Sequence, residues 1–272
     1  MYAEATPIRP RRVVRPSPIF LAFVAVTVAG AVMSWSNSNS AQVGQFGVFL
    51  LVFGAWIVSV CLHEFAHAFS AYRAGDHSVE AAGYLTLNPF KYTHPLLSIA
   101  LPLYFIAQGG IGLPGGAVYL HPHSFRSRAQ RSLASAVGPL VNVVIAVVVL
   151  RVASGHVQIT NGFFVGGDHY RFWAALSFLG FLQVSAAILN LLPIPGLDGF
   201  GIIEPYLSPE TQRALGPIKP WGMLGLFALL YAVPAFNARF IDAISGVYHA
   251  VGGDGNVWSV GYTLFRFWHR FG

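Results

Sequence analysis

The run from His63 to His67 reads His-Glu-Phe-Ala-His and contains the groups of a hydrolytic metal site. On a helix, His63 and His67 lie one turn apart on the same face, where both imidazoles can bind one Zn²⁺. Glu64 lies beside them and can take a proton from the attacking water as general base. Ten histidines and five glutamates in 272 residues give about 0.007 such runs by chance, so coincidence is a poor explanation.

The run lies in an unusually apolar part of the chain. No Asp, Glu, Lys or Arg occurs from Pro16 to His63, and Glu64 is the first charge that follows. Placing an ionisable group in lipid costs about 2.5–3.5 kcal/mol on insertion scales, so a residue of this kind in a membrane span is first considered as a functional residue. The alternative is a structural role, in which the histidines only hydrogen-bond neighbouring helices. Three ionisable residues so close together favour a zinc site inside a membrane.

The composition indicates a membrane protein. The chain is 55% hydrophobic and only 10% charged, with a mean hydropathy of +0.59, which excludes an ordinary soluble domain. Charge-free windows predict an all-α polytopic membrane protein with about five to six transmembrane helices, since each could cross or nearly cross a core about 30 Å thick. The windows are Pro18 to Trp35, Val43 to Leu62, Ser132 to Leu150, Phe172 to Leu192 and Pro220 to Phe236.

Charge and composition also assign the remaining segments. Arginines predict that residues 1–15 form a disordered cytoplasmic tail before an uncleaved anchor, and apolar stripes predict interfacial helices in residues 237–272. No linker or repeat is evident, which predicts one domain over residues 1–272. The net charge of +6 fits orientation in a lipid bilayer better than nucleic-acid binding. The single cysteine, Cys61, excludes an internal disulfide and a cysteine cluster for zinc.

One apolar segment is too short to be a span. Leu96 to Ala107 contains Pro102 and would form only about 18 Å of helix. Because six glycines and prolines follow it, we interpret Leu96 to His123 as a re-entrant segment or membrane-embedded hairpin. The glycine-rich part from Gly109 to Leu120 offers an edge against which an extended peptide could pair.

A catalytic zinc usually takes three protein ligands, so the two histidines need a partner. Asp198 is the one other acid in an apolar context, and the two prolines and the glycine between residues 193 and 196 should turn it back into the bundle. The alternative is a turn-forming Asp-Gly at a helix end. If Leu96 to Ala107 does not cross, Asp198 reaches the face of His67 and the arginines of residues 126–131 stay inside.

With these residues the chain resembles the site-2 proteases, which are intramembrane zinc metalloproteases. The resemblance covers roughly residues 45 to 236. It includes a segment typical of a compact bacterial branch that has no PDZ or other soluble appendage. The motifs are His63-Glu64-x-x-His67, Leu85-Thr86-Leu87-Asn88-Pro89, Gly138-Pro139-Leu140-Val141-Asn142, and Asn190-x-x-Pro193 followed by Asp198-Gly199.

The resemblance implies an endopeptidase in which His63, His67 and Asp198 bind one Zn²⁺ per chain and Glu64 activates water. Its substrate would be a transmembrane protein or a remnant signal peptide, cleaved after local unwinding in regulated intramembrane proteolysis. The enzyme would be multi-pass in the cell (plasma) membrane, with its N-terminus and active site near the cytoplasmic face.

The resemblance also implies substrate-binding residues, and at two places the chain departs from the family pattern. Asn142 and Asn190 are candidates for binding substrate, and helix packing is the alternative role for Asn142. The chain departs from the family pattern at Tyr84, where a basic residue is expected, and at the run from Tyr92 to Pro95 that includes His94.

Two other classes of function compete with a protease. A membrane metal-ion transporter should carry acids and histidines in several spans, yet the window Ser132 to Leu150 offers only Asn142. A non-catalytic membrane binding protein would have no need of the acid at Glu64. Both alternatives fit these residues less well than hydrolysis does.

Overall fold

The computed structural model describes residues 13–36, 40–92, 121–160, 163–255 and 257–270, and these are mostly helical. A two-stranded antiparallel hairpin, β1 (Val157–Thr160) and β2 (Phe163–Gly166), lies between the fourth and fifth helices. Short 3₁₀ turns occur at Tyr84–Thr86, Pro89–Lys91, Pro122–Ser124, Glu204–Tyr206, Gly216–Ile218 and Phe267–Arg270. The α-helices are α1 (Pro18–Trp35), α2 (Ala41–Ala74), α3 (Ser78–Ala81), α4 (Arg128–Ala153), α5 (Tyr170–Leu191), α6 (Asp198–Ile203), α7 (Pro209–Leu215), α8 (Lys219–Ala232), α9 (Pro234–Ala250) and α10 (Val257–Phe265).

Four of these helices, α1, α2, α4 and α5, are long and apolar enough to cross a membrane. This confirms the predicted all-α polytopic class, with the β1–β2 hairpin as a small addition that charge patterning did not reveal. The tail over residues 1–12 and nearly all of the segment Leu96 to His123 lie outside the described residues. Their predicted conformations stay predictions.

The fifth predicted window, Pro220 to Phe236, is not one straight helix. It breaks at Val233, and the axes on the two sides of the break differ by 101°. Pro234 explains the break, because proline has no N–H for the preceding turn and forces the residue before it into extended backbone, as Val233 is (φ −117°, ψ 92°). The described residues therefore include four candidate spans, or five if the bent pair Pro209–Ala232 and Pro234–Ala250 counts as one.

Helix α1 packs antiparallel on α2 through small residues. A Cβ added at Gly47 of α2 would lie 2.7 Å from the Met33 Cβ, and Gly30 of α1 meets the α2 backbone at Leu51 in the same way. Gly30 and Ser34 are the buried residues of α1. Because few of its side chains are covered by protein, most of α1 is available to face lipid.

Helix α5 is the central helix of the bundle. Phe178 and Leu182 pack with Trp56 of α2, and Gly180 approaches Leu150 of the antiparallel helix α4. On another side of α5, Phe181 joins a cluster formed mainly by α8 and α9. The side chains needed for a site between α2, α4 and α5 are therefore held by tightly packed neighbours.

The C-terminal helices also cover the bundle. Gly261 of α10 lies against Ala174 of α5, and Trp258 stacks on Phe181 with 4.1 Å between ring centroids. In α9 the buried residues are Phe240, Ile244 and Tyr248. Residues 237–272 thus include helices with one face packed on protein, and their depth in the membrane stays a prediction.

Candidate metal centre

Helix α2 presents His63 and His67 on one buried face. The two side chains are one turn apart, their residues are 7% and 5% exposed, and their Nε2 atoms lie 3.0 Å from each other. The α2 helix continues unbroken to Ala74, so both imidazoles belong to a single rigid element. This is the arrangement that the spacing of the two histidines predicts.

Asp198 lies beside the two histidines although it is more than 130 residues later in the chain. Helix α5 ends at Leu191, and Gly196 takes a positive φ of 97° in the turn that follows. A Cβ at Gly196 would collide with the Lys219 carbonyl oxygen, so this turn requires glycine. The chain then enters α6 at Asp198, whose Oδ2 lies 3.2 Å from His63 Nε2 and whose Oδ1 lies 3.4 Å from His67 Nε2.

Polar contacts to the start of α4 hold the helix that carries Asp198. The Ser132 hydroxyl donates a hydrogen bond of 2.6 Å to the Ile202 carbonyl oxygen. Just after α6, Glu204 forms ion pairs with Arg131 at 3.0 Å and with Lys219 at 2.5 Å. These contacts fix the position of α6 against the starts of α4 and α8, and with it the position of the carboxylate.

Both histidines are oriented through Nδ1. His67 Nδ1 lies 2.6 Å from the Ala134 carbonyl oxygen, and His63 Nδ1 lies 2.6 Å from the Asn142 Oδ1. A carbonyl oxygen only accepts, so each Nδ1 carries a proton, and in the neutral imidazole that would bind a metal each Nε2 then presents its lone pair. Such contacts are typical of histidines that bind metals.

The three residues fit a zinc ion. Their ligand atoms all lie within 4.8 Å of one another, and two imidazoles with one carboxylate form a usual catalytic zinc set with a fourth position open. Tetrahedral ligands about 2.1 Å from zinc lie about 3.4 Å apart. The three observed separations of 3.0, 3.2 and 3.4 Å are close to that value.

Gly138 of α4 leaves room beside these atoms. A Cβ at this position would overlap the His67 ring and lie 2.7 Å from His63 Nε2. The missing side chain thus creates a space next to the two nitrogens that would bind the metal.

The charge state of Asp198 suits a cation site. Burial by itself would raise the pKa of this carboxyl, but the neighbouring His67 and His63, which carry positive charge and donate hydrogen bonds when protonated, outweigh burial and lower the pKa below its usual range. The carboxylate form therefore predominates at neutral pH.

The other predicted site residues lie close by in the chain. Glu64 is next to His63 in α2 and is 3% exposed, and Asn190 is a buried residue in the last turn of α5. Asn142 uses its amide oxygen for His63 and donates from Nδ2 to the Gln183 Oε1 at 2.7 Å. The catalytic role of Glu64 and the substrate contacts of Asn142 and Asn190 stay predictions.

Gln183 and Ser59 belong to the surroundings of the site, and sequence reasoning missed them. The Gln183 Nε2 donates to the Ser59 Oγ at 2.8 Å, and the Ser59 hydroxyl donates to the Trp56 carbonyl oxygen at 2.8 Å. One signal was available, because a glutamine in the charge-free window Phe172 to Leu192 is an unusual polar residue for a membrane span.

Comparison with known proteins gives relatives that match almost the whole chain. A protein of Mycolicibacterium smegmatis named "Putative zinc metalloprotease Rip2" is 51% identical over 263 residues, which cover 96% of this chain and 98% of that protein. A protein of the same name from Mycobacterium tuberculosis H37Rv is 45% identical over 259 residues, which cover 95% and 96%. "Putative zinc metalloprotease YwhC" of Bacillus subtilis is 32% identical over 185 residues, which cover 65% of this chain and 78% of that protein. No protein-family model and no solved structure matches.

The fold, the three-residue cluster and these relatives together define a membrane-embedded zinc metalloprotease. The chain belongs to the compact site-2 protease-like family that includes the Rip2 and YwhC proteins. Because the relatives carry protease names, the transporter and the non-catalytic binding protein are set aside.

Proposed function

We propose that this zinc metalloprotease is an intramembrane endopeptidase that cuts its substrate in or near a transmembrane segment, as one step of regulated intramembrane proteolysis. The observation that supports this most is the place of His63, His67 and Asp198, which converge between apolar helices long enough to span a membrane. The two histidine side chains are 9% and 6% exposed, so a peptide bond that reaches them has to enter between the helices.

Each residue of the site has a separate role in the proposed reaction. His63, His67 and Asp198 hold the metal through Nε2, Nε2 and the carboxylate. When bound, zinc supplies a Lewis acid that lowers the pKa of water to about 7 and polarises the scissile carbonyl. Glu64 takes the proton of the attacking water on its carboxylate and returns it to the leaving amine. The burial of Glu64 keeps that proton away from bulk solvent.

The substrate must change its conformation before it is cut. A transmembrane helix hides its amides in intrahelical hydrogen bonds, so the scissile region has to unwind. We propose a single-span membrane protein or a remnant signal peptide as substrate, with Asn142 and Asn190 as the candidates for contacting it. The amide of Asn142 is already engaged at both ends by His63 and Gln183, so a substrate contact there would have to share one of these groups.

Charge bias supports an active site near the cytoplasmic face of the cell membrane. The backbone N–H of Ser17 donates to the Thr86 carbonyl oxygen at 2.8 Å, so the start of α1 lies at the same end of the bundle as the chain that follows α2. This end also has an excess of basic residues, which favours the cytoplasmic side. They include Arg15, Arg73, Lys91, Arg126, Arg128, Arg131 and Lys219.

Cleavage by purified full-length protein in lipid vesicles tests the proposal. The probe is a synthetic single-span peptide with a glycine-serine centre and lysine flanks, and products are identified by mass spectrometry. A soluble peptide with the same central residues is the control. We expect cleavage of the membrane peptide to exceed that of the control at least about tenfold, because the site is reached through the bundle.

Glu64→Gln separates chemistry from metal binding. This variant should retain about one zinc per chain, since the proposed ligands are unchanged, while hydrolysis falls by about 10²-fold or more through loss of the base. Substantial cleavage by Glu64→Gln would remove Glu64 from the mechanism. Equal cleavage of the soluble control would contradict the intramembrane part of the proposal.

A further inference from the structure

A fully buried amide on α5 connects the metal centre to a third helix. Gln183 is 0% exposed and its chain neighbours, Leu182 and Val184, are apolar and buried. Burial of an amide is costly unless both of its ends are hydrogen-bonded, whereas leucine or methionine would fill similar space without that cost. Packing alone therefore does not explain a glutamine at this position.

Gln183 belongs to a chain of hydrogen bonds in which each group donates to the next, from His63 to the Trp56 carbonyl. The Ser59 hydroxyl donates its proton to the Trp56 backbone carbonyl at 2.8 Å, so the Ser59 oxygen accepts from the Gln183 Nε2. This contact turns the Gln183 oxygen towards Asn142, which donates to it from Nδ2 at 2.7 Å. The Asn142 oxygen then faces His63 Nδ1 at 2.6 Å.

We propose that Gln183 and Ser59 are positioning residues of the zinc site. Acting through Asn142, they fix His63 in the tautomer with its proton on Nδ1 and its Nε2 lone pair directed at the metal. The backbone carbonyl of Trp56 sets the direction of the whole chain of hydrogen bonds, because it can only accept. This inference rests on the proposed role of His63 as a zinc ligand.

His67 provides an internal contrast. Its Nδ1 donates directly to the Ala134 backbone carbonyl at 2.6 Å, so no side chain is needed to fix its tautomer. His63 depends instead on three side chains from three helices, α2, α4 and α5. Side-chain substitutions can therefore disturb the orientation of one zinc ligand without touching the other.

Gln183→Met tests the idea, because methionine keeps the length of the side chain and removes both hydrogen bonds. Asn142 is then free to turn its NH₂ group towards His63, which places the imidazole proton on Nε2 and blocks the metal. We expect zinc affinity of the purified full-length protein, measured by competition with a chelator, to fall about 10- to 100-fold. The visible absorption bands of the Co²⁺-substituted protein should also shift, which loss of packing alone would not cause.

Matched variants isolate the effect. Ser185→Ala removes a buried hydroxyl from the same helix, one that donates to the Phe181 carbonyl, and should bind zinc within about twofold of the unaltered protein. Ser59→Ala should weaken zinc binding because it removes the hydroxyl that Gln183 contacts. Ser59→Thr keeps a hydroxyl at this position and should bind zinc like the unaltered protein. Adding Gln183→Met to Asn142→Ala should cause no further loss, because Gln183 acts through Asn142.

The outcomes separate this inference from the proposed function. Wild-type zinc affinity and an unchanged cobalt spectrum in Gln183→Met would overturn the positioning role while leaving the protease intact. If Gln183→Met does not fold, zinc affinity is measured in Ser59→Ala instead. Wild-type zinc affinity in Ser59→Ala would then overturn the positioning role. Unchanged zinc affinity in His63→Ala would overturn the proposed metal site, and this inference with it.

Discussion

The carboxylate of Asp76 accepts a hydrogen bond of 2.9 Å from the backbone N–H of His121. Asp76 comes just after α2 and His121 comes just before α4, so these two helix ends lie at the same end of the bundle. The structure does not describe residues 93–120, where the re-entrant segment is predicted. The flanking residues nevertheless agree with that prediction, because a single complete crossing would separate Asp76 from His121.

This contact predicts which loops share a side of the membrane. In a Cys61→Ser background, single cysteines at the exposed positions Glu80 and Ala129 should behave alike, because both lie at the Asp76 end. A cysteine at Ser154, after α4, should lie on the opposite side. An impermeant thiol reagent added to intact cells is expected to label the Ser154 site only, since the basic end faces the cytoplasm.

Two patterns would contradict this topology. Labelling of Ala129 but not Glu80 would mean that residues 93–120 cross the membrane completely. Labelling of Glu80 and Ala129 but not Ser154 would keep the fold and reverse its orientation. Each site is also labelled after permeabilisation, which confirms that its thiol can react.

Asp76 predicts a pH dependence of stability. Burial would raise its pKa, but hydrogen bonds from the Ser78 hydroxyl and from the backbone N–H groups of His121 and Ser78 lower it below the usual 3.8. A carboxyl with a lowered folded-state pKa stabilises the fold above its unfolded pKa, and this contribution is lost as the pH falls through the folded value. Asp76→Asn should therefore cost about 1–3 kcal/mol at pH 7, with the deficit shrinking below about pH 3.8.

Thermal unfolding of both proteins in detergent at pH 7 and pH 3 measures this deficit. Asp168→Asn is the control, since Asp168 is exposed at the opposite end of the bundle and should leave stability unchanged. A deficit of the same size at both pH values would show that the Asp76 charge is not responsible.

The sequence predicts correctly those features that depend on residues close together in the chain. The bounds of α1 agree with a charge-free window, and the spacing of His63 and His67 predicts one shared helix face because both lie within α2. The turn to Asp198 was also predictable, since prolines end α5 and a glycine permits the positive φ. These features depend on residues close together in the chain.

Zinc chemistry and charge bias predicted one distant relationship, that of Asp198 with His63 and His67, but other contacts between distant residues were not predictable. No local pattern reveals that Gln183 meets both Asn142 and Ser59, because that contact needs the relative rotation of three helices. The same holds for Glu204, whose ion pairs with Arg131 and Lys219 depend on how α6 packs against α4 and α8. The bend at Val233 was missed because apolarity alone favoured a continuous span from Pro220 to Phe236, although Pro234 lies within that window.

Asp198 should be needed for metal retention as well as activity. Asp198→Asn keeps the shape of the side chain but removes the negative charge that faces His63 and His67 at 3.2 and 3.4 Å. We expect zinc affinity to fall about 10-fold or more, because a neutral amide is a poor zinc ligand. Metal content after dialysis against a chelator is the measurement, with Asp168→Asn as a second acid variant. If the two variants hold zinc equally well, another residue supplies the third ligand.

Gly138→Ala should block the metal site by steric overlap. The added Cβ would occupy the space between the His63 and His67 nitrogens, so zinc content and activity should both fall at least about 10-fold. Gly180→Ala is the matched control, because its Cβ would press on Leu150 between α4 and α5, away from the zinc-binding atoms. That variant should lose about 1–3 kcal/mol of stability and still bind zinc when folded. Metal analysis of the folded fraction separates the two effects, and normal zinc content in folded Gly138→Ala would show that the metal does not use this space.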